Sequence, residues 1–204
     1  MKNYKLVIFD LDGVLVDACE WHRVALNRSL KIVCDYEISE EEHYKTFNGI
    51  PTKVKLNKLS DMKIIPRSCH EEVYNLKQKM TIETINEKAC VRTEKIEMFN
   101  YLKEKGLFLA CFTNSIRDTA TLMLDKTGVL EHLDFLVTNE DVKKSKPDPE
   151  GYNFLVDKFN VKKEETIIIE DSPKGLAAAY SSGCEVIKVD GPDRVDKTIF
   201  ERYF

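Results

Sequence analysis

A short apolar run near the start of the chain ends on two aspartates that are separated by one leucine. Residues 6–9 read Leu-Val-Ile-Phe, and Asp10 and Asp12 follow directly. A run rich in β-branched and aromatic residues predicts a strand that is buried on both faces, which is typical of parallel sheets. Because side chains two apart on a strand point the same way, we expect both carboxylates to face one spot. Two anions held so close repel each other, so a cation or a proton must lie between them.

The rest of the chain from Thr93 onward alternates between predicted helices and strands. The predicted strands are 107–112, 135–137, 166–170 and 185–189, and the predicted helices are 93–105, 115–127, 149–159 and 173–182, with a closing helix over 193–204. Gly128 and Gly183 follow two of these helices, and Ser172 with Pro173 begins the fourth. The alternation predicts an α/β fold with a doubly wound parallel sheet.

No strand is predicted between residues 17 and 93. Apolar residues recur there at helical spacing over 18–34, and Ser39 with Glu42 and Ser68 with Glu71 each fit a capping box. The helix after the second box is expected to bury a stripe of four residues, namely Val73, Leu76, Met80 and Ile85. We therefore predict two domains: an α/β core of residues 1–16 and 94–204, and an all-helical insertion of residues 17–93.

Composition limits the partners and the compartment. Among 204 residues the formal net charge is -4, with both signs intermixed, which does not support a nucleic-acid or membrane-surface role. No apolar run is long enough to span a membrane, and the N-terminal residues lack the features of a signal peptide. The six cysteines are dispersed without a CxxC pair, which predicts reduced thiols and a cytoplasmic location.

Polar residues follow four of the predicted strands. They are Asp10 and Asp12 after the first, Thr113 and Asn114 after the second, Lys146 beyond the third, and Glu170 and Asp171 at the fourth. In open α/β sheets the ligand crevice lies outside the carboxyl ends of the strands, so these groups are expected to meet there. Carboxylates together with a phosphate suit Mg²⁺, and a hydroxyl and an ammonium group suit the remaining phosphate oxygens.

Four ordered motifs resemble those of the haloacid dehalogenase-like superfamily. They are Asp-Leu-Asp-Gly at 10–13, Thr-Asn at 113–114, Lys-Pro-Asp-Pro at 146–149 and Glu-Asp-Ser at 170–172. The stretches "DLDGVLVDACEWH", "SKPDPE" and "EDSPKGLAAAYSSG", with Asn-Gly at 48–49, are most similar to the β-phosphoglucomutase and phosphoglycolate phosphatase-like branch. The resemblance implies a Mg²⁺-dependent phosphatase that acts on a small phosphorylated metabolite, with the inserted helices as a small cap.

The resemblance also implies a role for each site residue. Asp10 is the expected nucleophile, which forms an aspartyl-phosphate, and Asp12 is the expected acid–base, whose backbone carbonyl also contacts the metal. Asp171 is the expected direct metal ligand, and Glu170 binds directly, through water or as a supporting partner. Further substrate contacts are expected from the phosphate ligands Thr113 and Lys146 and from Asn114, His22 and Arg117.

Two alternatives remain open at this point. A sugar phosphomutase of the β-phosphoglucomutase type would share every core residue, but Thr52 stands where that enzyme has a phosphate-gripping arginine, and Ala18 replaces a hydroxyl residue. These departures favour hydrolysis. The second alternative is a non-catalytic phospho-binding protein, which is either a phospho-aspartate receiver module or a relative that has lost its activity. All four motifs are intact, which counts against lost activity. Receiver modules combine similar residues, but they carry the phospho-acceptor on a middle strand and have no helical insertion after the first.

Overall fold

The centre of the fold is a parallel sheet of five strands. A computed structural model describes residues 3–201, 203 and 204 of the chain. The strands are β1 (Leu6–Phe9), β2 (Phe108–Phe112), β3 (Phe135–Val137), β4 (Thr166–Glu170) and β5 (Glu185–Lys188), in the spatial order β3-β2-β1-β4-β5. Strands β2 and β3 therefore lie on one side of β1, and the later strands β4 and β5 lie on the other side. The order reverses between β1 and β4, so the α/β fold predicted from the sequence is confirmed.

The first strand lies in the middle of the sheet. Ile8 is in register with Ala110 of β2 and with Ile168 of β4. All four residues of β1 are fully buried. A strand with neighbours on both sides and helices on both faces needs apolar side chains throughout, which explains the unbroken apolar run.

Helices cover both faces of the sheet. In this unit they are α5 (Thr93–Glu104), α6 (Arg117–Thr127), α7 (Glu150–Lys158) and α8 (Pro173–Ser182). On one face, Leu6 and Ile8 belong to a buried cluster with Tyr152 of α7 and Ala178 of α8. On the other face the ring of Phe9 stacks on Phe99 of α5, with 5.0 Å between the ring centroids. Burial on two faces is the doubly wound arrangement.

The residues between β1 and α5 form a separate helical unit. Contacts divide the chain into Ala18–Ala89 and a unit made of the chain up to Asp17 with Cys90–Phe204. The helical unit contains α1 (Cys19–Cys34), α2 (Glu40–Glu42), α3 (Thr52–Asp61) and α4 (His70–Lys88), with a turn of π-helix at His43–Phe47 and a 3₁₀ turn at Arg67–Cys69. Its own buried cluster includes Leu30, Phe47, Leu59 and Val73. The predicted boundaries at 17 and 93 lie near these limits.

Three local predictions were wrong. Ser68 does not cap a helix, because it lies inside the 3₁₀ turn and Cys69 is the residue that precedes α4. The buried stripe of α4 is Val73, Lys77, Thr81 and Ile85 instead of the predicted one with Leu76 and Met80. The closing helix is replaced by two short 3₁₀ turns, Pro192–Arg194 and Lys197–Phe200.

Other predicted helix ends were confirmed. The hydroxyl of Ser172 accepts a hydrogen bond from the Gly175 backbone N–H at the start of α8. Gly128 and Gly183 follow α6 and α8 with φ of 77° and 81°, in the left-handed region that favours glycine. In the described part of the chain, no helix combines the length and the apolar character that a membrane crossing requires.

Candidate active site

Asp10 lies at the point where the strand order reverses. Its backbone N–H donates to the Ile169 carbonyl at 3.0 Å, which extends the pairing of β1 and β4 by one residue. This bond brings Asp10 beside Glu170 and Asp171, which end β4 and follow it. The Asp10 side chain is buried, with 8% of its surface exposed. Crevices at such switch points are where open α/β sheets bind ligands.

The ammonium group of Lys146 joins two of these carboxylates. Its Nζ donates to Asp10 Oδ1 at 2.6 Å and to Glu170 Oε1 at 2.7 Å. It also lies 4.9 Å from the centroid of the Phe112 ring and 5.1 Å from that of the Tyr152 ring. The ammonium is thus held by two charges and two aromatic faces, which fixes the position of an otherwise flexible side chain.

The backbone of Lys146 is held by Asn114. The Asn114 amide accepts from the Lys146 backbone N–H at 3.1 Å and donates to the Lys146 carbonyl at 3.2 Å. The Lys146–Pro147 peptide bond is cis. Both functional atoms of the Asn114 side chain therefore engage Lys146, which gives the amide a positioning role that the sequence did not indicate. The neighbouring lysines 143 and 144 are exposed.

Three carboxylates form a cluster that could hold a metal ion. Asp10, Glu170 and Asp171 each offer one carboxylate oxygen, and these oxygens lie within 4.8 Å of one another. Glu170 Oε2 accepts from the Ser172 backbone N–H at 2.9 Å, which orients that carboxylate. Asp171 Oδ1 is buried, and among the described residues it has no hydrogen-bond partner. A buried carboxylate oxygen left unpaired fits a cation ligand, and an all-oxygen donor set suits a hard divalent ion.

Gly13 has no side chain, and the Asp171 carboxylate lies in the space that a Cβ atom at this position would fill. A Cβ atom on Gly13 would lie 2.2 Å from Asp171 Oδ2, and the glycine has φ of 93°. Both the close approach and the left-handed backbone exclude other residues. The glycine of the Asp-Leu-Asp-Gly motif is therefore a geometric requirement of the acidic cluster.

The cluster contains more carboxyl groups than ammonium groups. Burial raises the pKa of Asp10 well above its usual value, although Lys146 acts in the opposite direction. Burial and the adjacent Glu170 raise the pKa of Asp171 to about 7. For Lys146, burial lowers the pKa, but Asp10 and Glu170 outweigh it, so the net pKa is raised and the group stays charged. One ammonium does not balance these acids, and a divalent cation would relieve the excess.

Asp12 is connected to the end of β2 through Ser115. The Ser115 hydroxyl donates to Asp12 Oδ2 at 2.9 Å, and the Ser115 backbone N–H donates to Thr113 Oγ1 at 3.0 Å. Thr113 is fully buried. The prediction from sequence missed Ser115, although its place two residues after Thr113 at the same strand end was a usable signal.

Two further predicted substrate-binding residues have contacts of their own. Arg117 is exposed and forms an ion pair with Asp141, while its backbone N–H donates to Glu140. His22 belongs to the helical unit, where its Nδ1 lies 3.2 Å from Lys77 Nζ. Because an ammonium group only donates, this contact leaves the His22 Nδ1 as an acceptor and places the ring proton on Nε2. Lys77 was not predicted as a site residue.

Comparison with known proteins agrees with this fold. A phosphorylated carbohydrates phosphatase from Thermotoga maritima is 30% identical over 185 residues, which cover 89% of this chain and 82% of the relative. The pyrophosphatase PpaX of Bacillus velezensis is 26% identical over 196 residues, with 92% and 84% covered. A β-phosphoglucomutase structure from Clostridium difficile superposes with a TM-score of 0.83 at 19% identity, covering 98% of this chain and 96% of that one. At that identity the superposition shows the fold alone.

The parallel sheet and the named phosphatase relatives place the chain among hydrolases with an α/β fold. The family model described as haloacid dehalogenase-like hydrolase matches residues 7–189, and the chain belongs to that family.

Proposed function

We propose that the protein is a Mg²⁺-dependent phosphatase that hydrolyses a small phosphate monoester through an aspartyl-phosphate on Asp10. One observation carries the proposal: three carboxylates offer oxygens within 4.8 Å of one another, and two of them, those of Asp10 and Glu170, bind the ammonium group of Lys146. Such an arrangement is suited to binding a cation together with a second, mobile anion. The names of the curated relatives, which include phosphatases, support the same reaction class.

The metal would be held by this chain's own oxygen atoms. The candidates are the carboxylates of Asp10 and Asp171, the Glu170 carboxylate directly or through water, and the backbone carbonyl of Asp12. When bound, Mg²⁺ would neutralise negative charge on the phosphate dianion and on the carboxylates that otherwise repel this dianion. The carboxylate of Asp10 can attack only in its ionised form, so the raised pKa of Asp10 in the metal-free chain also calls for a cation.

In the first step Asp10 attacks the phosphorus atom and the ester oxygen leaves. Asp12 donates a proton to that oxygen, which makes the alcohol a good leaving group. Lys146 and the hydroxyl of Thr113 bind oxygens of the transferred phosphoryl group. Lys146 is held at both its backbone and its ammonium, so little reorganisation is needed as charge develops.

In the second step water attacks the phosphorus of the aspartyl-phosphate. Asp12, now a carboxylate, accepts the proton of that water, and Asp10 is released together with inorganic phosphate. The Ser115 hydroxyl, which donates to Asp12 Oδ2, holds the carboxylate in one orientation in both steps. Asn114 acts on the reaction indirectly, because it positions Lys146.

The substrate is a small phosphorylated metabolite. We assign to His22 a contact with this substrate or support of Asp12, and to Arg117 a contact with a phosphate group. The two curated relatives act on different phosphate compounds according to their names, so family membership leaves the substrate open. We place the reaction in the cytoplasm on the strength of the six dispersed cysteines.

For the phosphomutase alternative, a second phosphate contact would have to come from Lys53 or Lys55, because the position of the family arginine is Thr52. Thr52, at the position of the family arginine, begins α3, and the adjacent Lys53 is exposed. The Lys53 ammonium lies 5.3 Å from the centroid of the Tyr74 ring. A lysine held on an aromatic face does not replace a bidentate arginine, so hydrolysis is the better supported reaction.

The proposal is tested by phosphate release from a panel of phosphate esters. Sugar phosphates, nucleotides, phosphoglycolate and polyol phosphates are incubated with the full chain and Mg²⁺. Asp10→Asn, which keeps the side-chain shape and removes the nucleophile, is expected to lower kcat at least about a thousandfold. Asp157→Asn, an exposed carboxylate on α7, serves as the matched control and keeps full activity. Activity of Asp10→Asn within tenfold of wild type, or full activity in excess chelator, would contradict the mechanism.

A further inference from the structure

Two cysteine sulfurs meet in the helical unit. Cys34 is the last residue of α1, and Cys69 ends the 3₁₀ turn that precedes α4. Their sulfur atoms are 2.9 Å apart. The Cys34 thiol donates to the Cys69 sulfur, and the Cys69 thiol donates to the Pro66 carbonyl at 3.0 Å. The two side chains therefore point at each other across a gap that a covalent bond can close.

The surroundings hold the two thiols in this arrangement. Cys69 is buried in the apolar cluster of the helical unit, and the partly buried Cys34 packs against the same cluster. Leu30, one turn before Cys34, and Val73, one turn after Cys69, are fully buried members of it. Both thiols thus belong to rigidly packed segments, so little ordering would be needed to join them.

We propose that Cys34 and Cys69 are a site of reversible disulfide formation. The chain would be oxidised by a small-molecule disulfide such as oxidised glutathione. One thiol loses its proton, and its sulfur attacks a sulfur of the oxidant, which releases one glutathione thiolate that takes up that proton. The second protein thiol then attacks the mixed disulfide and releases the other glutathione thiol. The protein pair loses two electrons and two protons, and the oxidant gains both as two thiols.

The bond would close a loop between residues that are 35 positions apart. The native packing already brings these two residues together, whereas the unfolded chain must close that loop by chance. The folded chain therefore favours the bond much more than the unfolded chain does. Burial and the contact with Cys69 raise the pKa of Cys34 to about 12, so little of its thiolate exists at neutral pH and the bond forms slowly. The informative quantity is thus the equilibrium, not the rate.

The experiment measures that equilibrium in the full chain. The background is Cys90→Ser, because Cys90 is exposed and would form mixed or intermolecular disulfides. The protein is equilibrated in glutathione buffers with chelator present, free thiols are alkylated, and linked peptides are identified by mass. We expect one linkage, between the peptides that carry Cys34 and Cys69. The midpoint is the ratio of the oxidised glutathione concentration to the square of the reduced glutathione concentration at which half of the chain is linked. This midpoint should be about 100-fold lower for the folded chain than for the chain unfolded in urea.

Matched variants decide the assignment. Cys34→Ser and Cys69→Ser, each added to the background, are expected to abolish the linkage, whereas Cys184→Ser in the other unit leaves it unchanged. Equal linkage equilibria in folded and unfolded chain would overturn the proposal, as would glutathione adducts on both thiols without a linkage. Linkage of either thiol to a different cysteine would overturn it too. If a serine variant fails to fold, the comparison of folded and unfolded background protein still gives the answer.

Discussion

At the scale of single residues, Gly13 and Asp171 show how tightly the acidic cluster is built. We predict that Gly13→Ala weakens Mg²⁺ binding at least about tenfold, because the new Cβ would displace the Asp171 carboxylate. Gly106→Ala is the matched control: Gly106 also has a positive φ, of 76°, but nothing lies within 4 Å of its Cβ position. The control is expected to lose about 1 kcal/mol of stability from backbone strain and no metal affinity.

Calorimetric titration of both variants with Mg²⁺ checks this prediction, and thermal unfolding separates it from general destabilisation. Equal Mg²⁺ affinities in Gly13→Ala and Gly106→Ala would show that the close approach to Asp171 is unimportant for the metal. They would also remove the steric reason given for this glycine.

The raised pKa of Asp171 predicts how metal binding depends on pH. In the metal-free chain its pKa is about 7, because burial and Glu170 disfavour the charged form. A metal ligand must be deprotonated, so Mg²⁺ affinity is expected to rise about tenfold between pH 6 and pH 8 from this group and to level off above. In Asp171→Asn this part of the pH dependence disappears.

The stability of the metal-free chain is expected to change in the opposite direction. The folded chain binds the Asp171 proton up to about pH 7, whereas the unfolded chain releases it near 3.8, so this group makes folding less favourable as pH rises between these values. The increase in thermal midpoint on adding Mg²⁺ should therefore be larger at pH 8 than at pH 6. An increase that is the same at both values would contradict the pKa assigned to Asp171.

The sequence was sufficient to predict that the polar residues after four of the strands lie close together, because the carboxyl ends of parallel strands meet at one edge of the sheet. Asp10, Lys146, Glu170 and Asp171 meet for this reason. It could not predict the pairing of Ser115 with Asp12, since that hydrogen bond joins residues 103 positions apart and depends on side-chain direction. The positioning role of Asn114 was hidden for the same reason.

At the scale of elements, apolar runs predicted every strand, but the last predicted helix does not form. Lys95 of α5 is buried, and its ammonium donates to the carbonyls of Pro192 and Val195. These carbonyls are then occupied by a side chain. In addition, the Asp196 side chain accepts from the Thr198 backbone N–H, which starts a new short turn. A partner about 100 positions away along the chain therefore decides the conformation, and local periodicity could not reveal it.

The buried stripe of α4 was misassigned for a related reason. Lys77 and Thr81 are buried although polar, because Lys77 Nζ contacts His22 of α1 and the Thr81 hydroxyl donates to the Lys77 carbonyl. A pattern search that looks for apolar residues passes over such positions. The helix itself was predicted, and the face that it buries was not.

Lys95 carries the prediction at this scale. Lys95→Met keeps much of the buried volume and removes the donor to two carbonyls, so it is expected to lower the free energy of unfolding by about 2–4 kcal/mol. Urea unfolding measures this change. Lys126→Met, an exposed lysine in the last turn of α6, is the control and should change stability by less than about 0.5 kcal/mol. Equal effects of the two substitutions would mean that Lys95 does not anchor the C-terminal segment.

At the scale of the whole molecule, each unit supplies a different part of the proposed chemistry. The α/β unit alone carries the acidic cluster, Lys146 and Thr113, which are the groups proposed to act on the phosphoryl group. The helical unit carries His22 and Lys53, which are candidates for contact with the rest of a substrate. Relatives that match the chain across both units have names with different phosphate compounds.

The choice between hydrolase and mutase therefore rests on the helical unit. A mutase must grip the second phosphate of a sugar bisphosphate and keep water from the phospho-enzyme, and Thr52 offers no charge for that grip. The neighbouring Lys53 is exposed, and its ammonium lies over the Tyr74 ring. Moving this ammonium from the ring to a phosphate would cost about 1 kcal/mol.

We predict that β-glucose 1-phosphate, if accepted, yields free phosphate, and that Lys53→Ala lowers kcat/KM by no more than about fivefold. Lys58→Ala, an exposed lysine on the same helix, is the control, and both products are measured. Formation of glucose 6-phosphate with little free phosphate, lost in Lys53→Ala and kept in Lys58→Ala, would establish a mutase instead, because only a bound bisphosphate needs that particular charge.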